Sequence, residues 1–521
     1  MHREEIMSLL EYFEALPEEK KILQLGIKTD TPLANAFPYK RVVHPGLNGT
    51  LVPPKDSQDV WDKLMKNIPK KGQIQAAYIH IPFCRTKCTY CHFFINPNSK
   101  NVEDQYINFL IKEMQMASDS PRLKNGLIHS VFIGGGTPTS LTPENSEKLL
   151  KAIRKYLPLA NDYELTLEGR IHDVIPEKTD IWMSNGVNRI SFGVQSFDTK
   201  VRKLVGRLDS EDVVLERLSA LMEYAQCSVV IDLMYGLPGQ TMDVWEKDLS
   251  LLVASGIDGA DLYQLNVFED SDLNRQIQSG QVPPAATTAQ QSEMFSFGRS
   301  YLMKRAYRRI SNCHWSRSNR ERSLYNRLAT SGATMFPFGS GAGGSIDGYT
   351  TMLYRALKPY EAMVELGKKP FMGLIRQPKL QPIIYRILSE LDMNYLNIDS
   401  IAKTDSRISM LHELYQFWEQ RGLVKYNGIL YTLTEAGEFW NINIGQSTLE
   451  ALEHIMTGET SFIMDKVAAQ DVSEKDELMK KAMDKAMKMG GSSNTESMKH
   501  MAEAMKKLSA DDLKDMMSKM L

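Results

Sequence analysis

The chain has 521 residues, a formal net charge of −2, 42% hydrophobic residues and 24% charged residues. This length predicts two to four domains, and the composition is ordinary for a globular protein. A net charge so close to zero argues against a nucleic-acid partner, and no stretch reaches the roughly 18 apolar residues of a membrane span. Five cysteines without a secretory signal predict a cytoplasmic protein whose cysteines bind metal rather than form disulfides.

Residues 1–72 are predicted to form an N-terminal helical preamble without chemistry of its own. Ile6 to Leu23 has helical periodicity that is interrupted at Pro17, and a connection rich in proline and glycine follows. We expect this segment to pack at the edge of a larger domain.

From Ala76 onward, short β-rich apolar runs alternate with amphipathic helical stretches. The predicted strands are Ala76–Ile81, His129–Ile133, Glu164–Glu168, Arg189–Gly193, Ser228–Met234 and Asp261–Val267. The predicted helices are Val102–Ala117, Pro143–Tyr156, Lys178–Ser184, Ser210–Tyr224 and Met242–Ala254. This alternation predicts an α/β fold of right-handed βαβ units. Six units fit a partial (β/α)6 barrel of the TIM type, with functional residues at the carboxyl ends of its strands.

Three of the five cysteines follow the first predicted strand, as Cys84, Cys88 and Cys91. Thiolates are soft ligands that select zinc, copper(I) or iron–sulfur clusters. Three thiolates are one short of a closed structural zinc site. They suit a [4Fe–4S] cluster with one open iron, which can bind S-adenosylmethionine (SAM). A zinc site completed by His92 or by a distant cysteine, and a disulfide, remain alternatives at this point.

Polar groups and glycines follow the next strands at the ends where a barrel has its site. Gly135, Gly136 and Thr137 form a turn whose backbone can approach a ligand closely. We interpret Gln195 and Asp232 as partners of ribose hydroxyls, and Glu168 and Arg207 as partners of an ammonium and a carboxylate group. The alternative is a structural ion pair, for example between Glu168 and Arg207, because an acid in an apolar strand needs a partner.

Together these motifs resemble the coproporphyrinogen-dehydrogenase-like group of radical SAM enzymes. The resemblance runs from about residue 75 to 445 and rests on YIHIPFCRTKCTYC, VFIGGGTPTSL, GVNRISFGVQSFD, Arg207 and DLMYGLPGQT. It implies a [4Fe–4S] cluster held by Cys84, Cys88 and Cys91. It also implies a SAM molecule that is bound by Tyr78, Gly135, Gly136, Thr137, Glu168, Gln195, Arg207 and Asp232.

Two positions separate the chain from neighbouring branches of that group. Phe93 stands where the oxidative decarboxylases of heme synthesis have a fourth cysteine, and His92 stands where the heme chaperones usually have Asp. The motifs LEGR, CHWSR, RERSLYN and FGSGAGG resemble instead the heme-utilisation branch, which includes anaerobilin synthases. This resemblance implies a methyltransferase that opens heme without oxygen, releases its iron and takes electrons from a flavodoxin or similar donor. A heme chaperone and an oxygen-independent coproporphyrinogen III oxidase remain the alternatives.

The segment 308–350 carries the prediction of the substrate. His314 is predicted to be catalytic, as an iron ligand or a proton donor to the porphyrin. Five nearby arginines are candidate partners of its propionates: Arg308, Arg309, Arg317, Arg320 and Arg322. A structural histidine and a solvated charged face are the alternatives.

The predicted domains divide the chain into four segments. Residues 73–350 form the barrel with its substrate segment, after the preamble of residues 1–72. Residues 351–444 form a winged-helix-like domain, since two short strands flank Asn427-Gly428 after a run of helices. Residues 445–521 form a methionine-rich helical tail, which we interpret as an adaptable apolar surface.

Overall fold

The computed structural model describes residues 8–41, 44–91, 96–97 and 99–462, all within one compact unit. The strands of these residues are β1 (Thr50–Leu51), β2 (Gln75–Ile81), β3 (Phe83–Cys84), β4 (Asn96–Pro97), β5 (Ile128–Gly135), β6 (Leu159–Gly169), β7 (Arg189–Gln195), β8 (Ser228–Tyr235), β9 (Gly259–Gln264), β10 (Arg308–Arg309), β11 (His314–Ser316), β12 (Thr334–Phe338), β13 (Gly343–Ile346), β14 (Tyr349–Leu353), β15 (Phe371–Arg376), β16 (Tyr395–Leu396), β17 (Val424–Tyr426) and β18 (Tyr431–Leu433).

The α-helices of the same residues lie between and after these strands. They are α1 (Leu9–Glu14), α2 (Glu18–Leu25), α3 (Pro32–Asn35), α4 (Ser57–Lys66), α5 (Lys100–Ser118), α6 (Pro121–Lys124), α7 (Pro143–Tyr156), α8 (Pro176–Ser184), α9 (Thr199–Leu204), α10 (Glu211–Glu223), α11 (Met242–Ser255), α12 (Asp272–Gln278), α13 (Thr288–Met303), α14 (Leu324–Thr330), α15 (Leu357–Glu365), α16 (Gln381–Asp392), α17 (Ile398–Ala402), α18 (Leu411–Gln420), α19 (Glu435–Phe439) and α20 (Asn441–Thr457).

A parallel sheet forms the centre of the molecule, in the strand order β2-β5-β6-β7-β8-β9. These are the six strands predicted from the sequence, and the helices that follow them confirm the βαβ alternation; α7 has the predicted bounds. Every residue of β7 is buried, because helices cover one face of the sheet while side chains fill the other. The predicted α/β fold with a partial barrel is confirmed.

Further strands extend this sheet on both sides, and all but β12 are antiparallel to their neighbours. On one side β12 runs parallel to β2, and β13, β14, β15 and β1 follow it as antiparallel neighbours. On the other side β11 pairs with the edge of β9, and β10 pairs with β11. The predicted domain boundary at residue 350 therefore falls inside β14.

The C-terminal part contains the predicted hairpin, β17–β18, in a three-stranded sheet with β16. Helix α20 continues through the predicted boundary at residue 445 and is almost completely buried from Asn441 to Leu452. Within it, Glu450 accepts two hydrogen bonds from Arg41, at 2.6 and 2.8 Å, and neither side chain is exposed. The N-terminal segment is thus fixed to the last helix. Among the described helices none has the length and apolarity to cross a membrane.

Candidate active site

The cysteine segment, residues 82–91, follows β2 at the carboxyl end of the parallel sheet. The side chains of Cys84 and Cys88 are buried, that of Cys91 is partly exposed, and all three are free thiols. In the described part of the chain, no three His, Cys, Asp or Glu side chains converge as ligands of one metal ion. Thiolates that hold an iron–sulfur cluster bind separate irons, so they need not converge in this way.

Hydrogen-bond donors surround the sulfur atoms of this segment. The Thr137 hydroxyl lies 3.2 Å from Cys84 Sγ, and Arg170 Nη2 donates to Cys88 Sγ at 3.3 Å. Arg170 is itself held by Thr86, through a bond of 2.6 Å to its hydroxyl and one of 2.7 Å to its carbonyl. Burial raises the pKa of the Cys84 thiol, so a bound metal is needed to displace its proton. Buried, adjacent thiols with donors to sulfur fit the iron–sulfur cluster implied by the motif.

The glycine turn after β5 packs directly on the cysteine segment. Gly135 has φ = 111°, and a Cβ there would lie 2.7 Å from the His80 ring. A Cβ on Gly136 would lie 2.4 Å from the Phe83 carbonyl oxygen. The Gly136 amide donates to the carbonyl of Ile81 at the end of β2, and the Thr137 amide donates to the carbonyl of Phe83, each at 2.7 Å. These glycines are therefore required to bring Thr137 next to Cys84.

Two acidic side chains, Glu168 on β6 and Asp232 on β8, lie on the inner face of the partial barrel. Both are partly exposed to that interior. Burial, followed by the charge of Asp232, raises the pKa of Glu168 to about 8. Burial, followed by the charge of Asp261, raises the pKa of Asp232 to about 7. Burial and the neighbouring acids outweigh the cations around these carboxyl groups, so a positively charged group of SAM would favour their ionised forms.

Gln195 and Arg207 converge over Gly193. A Cβ on Gly193 would lie 2.8 Å from Gln195 Nε2 and 2.9 Å from Arg207 Nη2. Gln195 has φ = 66°, and its buried side-chain oxygen accepts no hydrogen bond. Arg207 donates to the Tyr90 hydroxyl at 3.1 Å, while its Nε remains unbonded. Backbone strain and unsatisfied polar atoms at one place are typical of a ligand site.

His314 lies in the same row of the sheet as Asp232. Asp232 is opposite Asp261 on β9, and Asp261 is opposite His314 on β11. The His314 ring is 1% exposed; Nδ1 lies 2.9 Å from Asp261 and Nε2 lies 3.2 Å from Glu321, neither with the alignment of a hydrogen bond. Burial opposes its charge, but Asp261 and Glu321 outweigh burial and raise the pKa of His314 to about 9.

Several residues of this interior were not predicted from the sequence. Asp261, Arg189 and Glu321 join His314 in a buried ionic group, and Tyr325 stacks beside Phe132 with ring centroids 4.4 Å apart. Asp261 shares one signal with Asp232, since both are acids within an apolar strand run. For Arg189 and Glu321 no such signal exists, because 132 residues separate them in the chain.

Of the five arginines predicted to bind propionates, Arg308, Arg317 and Arg320 lie at the amino end of the sheet, away from Gln195 and the glycine turn. Arg308 is opposite Ser316, which is opposite Gly259 at the amino end of β9. Arg317 and Arg320 donate to backbone carbonyls at the same end of the sheet. The residues His92 and Phe93, and the tail beyond residue 462, lie outside the described residues.

Comparison with known proteins agrees with this fold. The sequence profile of the Radical SAM superfamily matches residues 78–252. The chain is 34% identical over 420 residues to the anaerobilin synthase of Escherichia coli O157:H7, covering 80% of this chain and 93% of that protein. The chain belongs to the radical SAM superfamily, whose enzymes use a [4Fe–4S] cluster and SAM.

Two further relatives are named for heme or for coproporphyrinogen III. The heme chaperone HemW of Bacillus subtilis is 31% identical over 290 residues, covering 55% of this chain and 75% of that protein. The oxygen-independent coproporphyrinogen III oxidase of Helicobacter pylori strain J99 is 27% identical over 387 residues, covering 69% and 82%. In structure, coproporphyrinogen III oxidase (HemN) of Escherichia coli matches with a TM-score of 0.65 at 22% identity, covering 75% and 93%. That likeness concerns the fold alone.

Proposed function

We propose that this protein opens heme without oxygen in a SAM-dependent reaction, as a methyltransferase of the anaerobilin synthase type, and releases the iron. The observation that carries the proposal is the 34% identity to an anaerobilin synthase over 93% of that relative. The relatives that are named as heme chaperones and coproporphyrinogen oxidases match smaller shares of this chain.

In this proposal Cys84, Cys88 and Cys91 bind the cluster. These three thiolates would hold the cluster, which when bound would supply the electron for reductive cleavage of SAM. Thr137 and Arg170 donate hydrogen bonds to the sulfur atoms, and such bonds tune the reduction potential of a cluster. The buried positions of Cys84 and Cys88 keep water and oxygen away from it.

SAM is proposed to lie across the carboxyl ends of β2 and β5–β8. Glu168 and Asp232 supply the negative charge that an ammonium or sulfonium group requires, and Asp232 can also accept hydrogen bonds from a ribose. Gln195 and Arg207 have unsatisfied polar atoms directed to the same region. Tyr78, whose hydroxyl lies 3.0 Å from His80 Nδ1, is proposed to line this site together with Gly135, Gly136 and Thr137.

For His314 we propose a positioning role rather than ligation of the heme iron. An iron ligand needs a free, neutral nitrogen, whereas both nitrogens of His314 face carboxylates that favour the protonated ring. The charged ring holds Asp261 in place beside Asp232, and it holds a proton within the interior.

An electron donor of low potential, such as a flavodoxin, is proposed to reach the cluster over the exposed segment Arg85-Thr86-Lys87. This segment lies between Cys84 and Cys88. Arg85 pairs with Asp173 at 3.6 Å and Lys87 with Asp272 at 2.5 Å, but both side chains stay exposed and suit an acidic partner surface that competes with these carboxylates.

The proposal is tested by anaerobic incubation of the reconstituted protein with heme, SAM and a reductant. We expect the heme absorption bands to disappear, 5′-deoxyadenosine to form and a linear tetrapyrrole to appear by mass. The Cys84→Ala variant is the control and should form none of these products.

Two other outcomes of this experiment would indicate a different function. Stoichiometric heme binding without SAM cleavage would indicate a heme chaperone. Turnover of coproporphyrinogen but not of heme would indicate the oxidase.

A further inference from the structure

A cleft of about 500 Å³ opens at the amino end of the parallel strands, away from the cysteine segment. Strand β10, the residues that follow it, the loop before α14 and the end of α16 form its walls. Arg308, on its rim, is opposite Ser316 and is therefore level with the start of β9. Gln195 and the glycine turn lie at the other end of the strands, so this cleft is separate from the proposed SAM site.

Four arginine side chains line the cleft: Arg308, Arg309, Arg322 and Arg327. Within the described residues, the exposed guanidinium groups of Arg308 and Arg327 make no hydrogen bond or ion pair. Arg322 approaches Glu164 only at 4.0 Å and the Asp162 carbonyl at 3.4 Å. Arg309 alone is neutralised, by Glu438 at 2.5 Å. Three cationic forks therefore face the cleft without a close carboxylate.

Two acidic residues also line the cleft, but other groups engage them. Glu321 accepts bonds from Arg189, Ser228 and the Ser323 amide. Asp392 accepts a bond from the Asn312 amide at 3.0 Å, and burial raises the pKa of Asp392. The potential of the cleft is therefore set by its arginines.

The remaining walls indicate the kind of anion that would fit. Ile310 and the half-exposed Met393 are apolar, and the volume is much larger than an inorganic anion requires. Asn394 has φ = 65°, and its side-chain oxygen is buried without a partner. The positive φ is the ordinary left-handed end of α16, but a buried polar atom without a partner on the wall of a cleft is typical of a binding site.

We propose that this cleft binds a small organic molecule that carries two or more carboxylates on an apolar body. The planar guanidinium fork matches a carboxylate with two parallel hydrogen bonds, and several forks favour a ligand with more than one such group. The inference does not require that the protein open heme. Tetrapyrroles with two propionates are one class of molecule with this chemistry.

The test uses the full-length protein, loaded with cluster, and biliverdin as the dicarboxylate probe. Biliverdin dimethyl ester has the same body without the charges, and pyrophosphate is an anion without the body. We expect biliverdin to bind at least tenfold more tightly than its ester or pyrophosphate. The double variant Arg308→Gln/Arg327→Gln should weaken biliverdin binding by at least tenfold.

Arg305→Gln is the matched control, since Arg305 is exposed nearby, stacks on Tyr301 and lines no part of the cleft. It should bind biliverdin as the unmodified protein does. SAM affinity should be equal in all three proteins, which verifies folding independently of the cleft. Equal binding of acid and ester, preference for pyrophosphate, or unchanged biliverdin binding in the double variant would overturn the inference.

Discussion

Arg189 donates through Nε to both carboxylate oxygens of Glu321, at 3.0 and 3.1 Å, where neither side chain is more than 3% exposed. The pair joins the start of β7 to the loop that crosses the amino end of the sheet. Glu321 also lies next to His314, and together its partners lower the pKa of Glu321 to about 2 against the effect of burial. The charge of Glu321 is thus maintained by cations on two different elements.

Removal of one member of this pair should strongly destabilise the protein. Arg189→Met leaves a buried carboxylate without its strongest partner, which costs about 3–5 kcal/mol. Chemical unfolding followed by far-UV circular dichroism measures the loss. Arg154→Met, at an exposed position on α7, is the control and should change stability by less than about 0.5 kcal/mol. A variant Arg189→Met as stable as this control would show that the ion pair is dispensable.

SAM should bind more tightly as the pH rises. Below pH 6, Glu168 and Asp232 are both protonated, because their pKa values are raised to about 8 and about 7. A cationic ligand favours the ionised forms, so binding at low pH must release protons. We expect affinity to increase about tenfold or more between pH 6 and pH 8.5. Calorimetric titration measures it, and Asp232→Asn should flatten the profile around pH 7. A profile that is already flat in the unmodified protein would contradict this.

In the protein without SAM the same pKa values have the opposite consequence. A carboxyl group whose folded pKa is raised stabilises the fold at low pH, and this contribution is lost as the pH rises through the folded value. The apoprotein should therefore lose stability through these two groups as the pH rises from about 4, where the unfolded carboxyl groups ionise, to about 8, and the loss is complete above that value. SAM should raise the unfolding temperature more at pH 8.5 than at pH 6.

His314→Gln should change the pH dependence of SAM binding without removing the cluster. The charge of His314 is one of the effects that hold down the pKa of Asp232. A neutral glutamine removes that effect, so the midpoint of the pH profile should move upward. The heme absorption bands should not shift, since both ring nitrogens already face carboxylates. A band shift with an unchanged SAM profile would instead favour His314 as an iron ligand.

Cluster content should depend on three of the five cysteines. Alanine substitution of Cys84, Cys88 or Cys91 should abolish bound iron and sulfide after reconstitution. Cys227→Ala and Cys313→Ala should retain the bound iron and sulfide. Cys227 is buried directly before β8, and Cys313 donates to Asp261 at 3.4 Å. Comparable cluster loss in either of the latter variants would require a different set of ligands.

Truncation should be tolerated after residue 462 but not after residue 445. The longer protein keeps α20, whereas the shorter one loses Glu450 and the buried Leu449 and Leu452. Loss of the carboxylate that Arg41 contacts costs about 3–5 kcal/mol before the apolar contacts are counted. Soluble yield and unfolding temperature distinguish the two truncated proteins. Equal stability would mean that α20 adds nothing to the fold.

The sequence predicted the parallel strands well because their signal is local. An apolar run such as Ser228–Met234 has a strand pattern that does not depend on distant residues. The glycine turn at the end of β5 is likewise recognised from four consecutive residues, Gly134-Gly135-Gly136-Thr137. The extensions of the sheet were not predicted, since β10 and β11 have two and three residues and no alternation of their own. The place of β11 is determined by its pairing with β9, from which a long stretch of chain separates it, and that of β10 by its pairing with β11.

The same distinction applies to the candidate site. Cys84, Gln195 and Asp232 stand in motifs whose residues are close in sequence. The environment of His314 depends instead on Asp261 and Glu321, which approach from different elements of the fold. A histidine beside arginines in the sequence predicted a group that faces a ligand; the structure surrounds this histidine with acids.

The pairing of Arg41 with Glu450 also affects how the chain is made. The two residues are 409 positions apart, so Arg41 leaves the ribosome long before its partner exists. At about 5–20 residues per second the interval is roughly 20–80 s. During that time the guanidinium of Arg41, which is buried in the folded protein, stays in water. Residues 8–41 cannot yet adopt their folded positions. The nascent barrel therefore lacks the contacts of α20 until that helix is synthesised, and this is the stage at which a chaperone would be needed most.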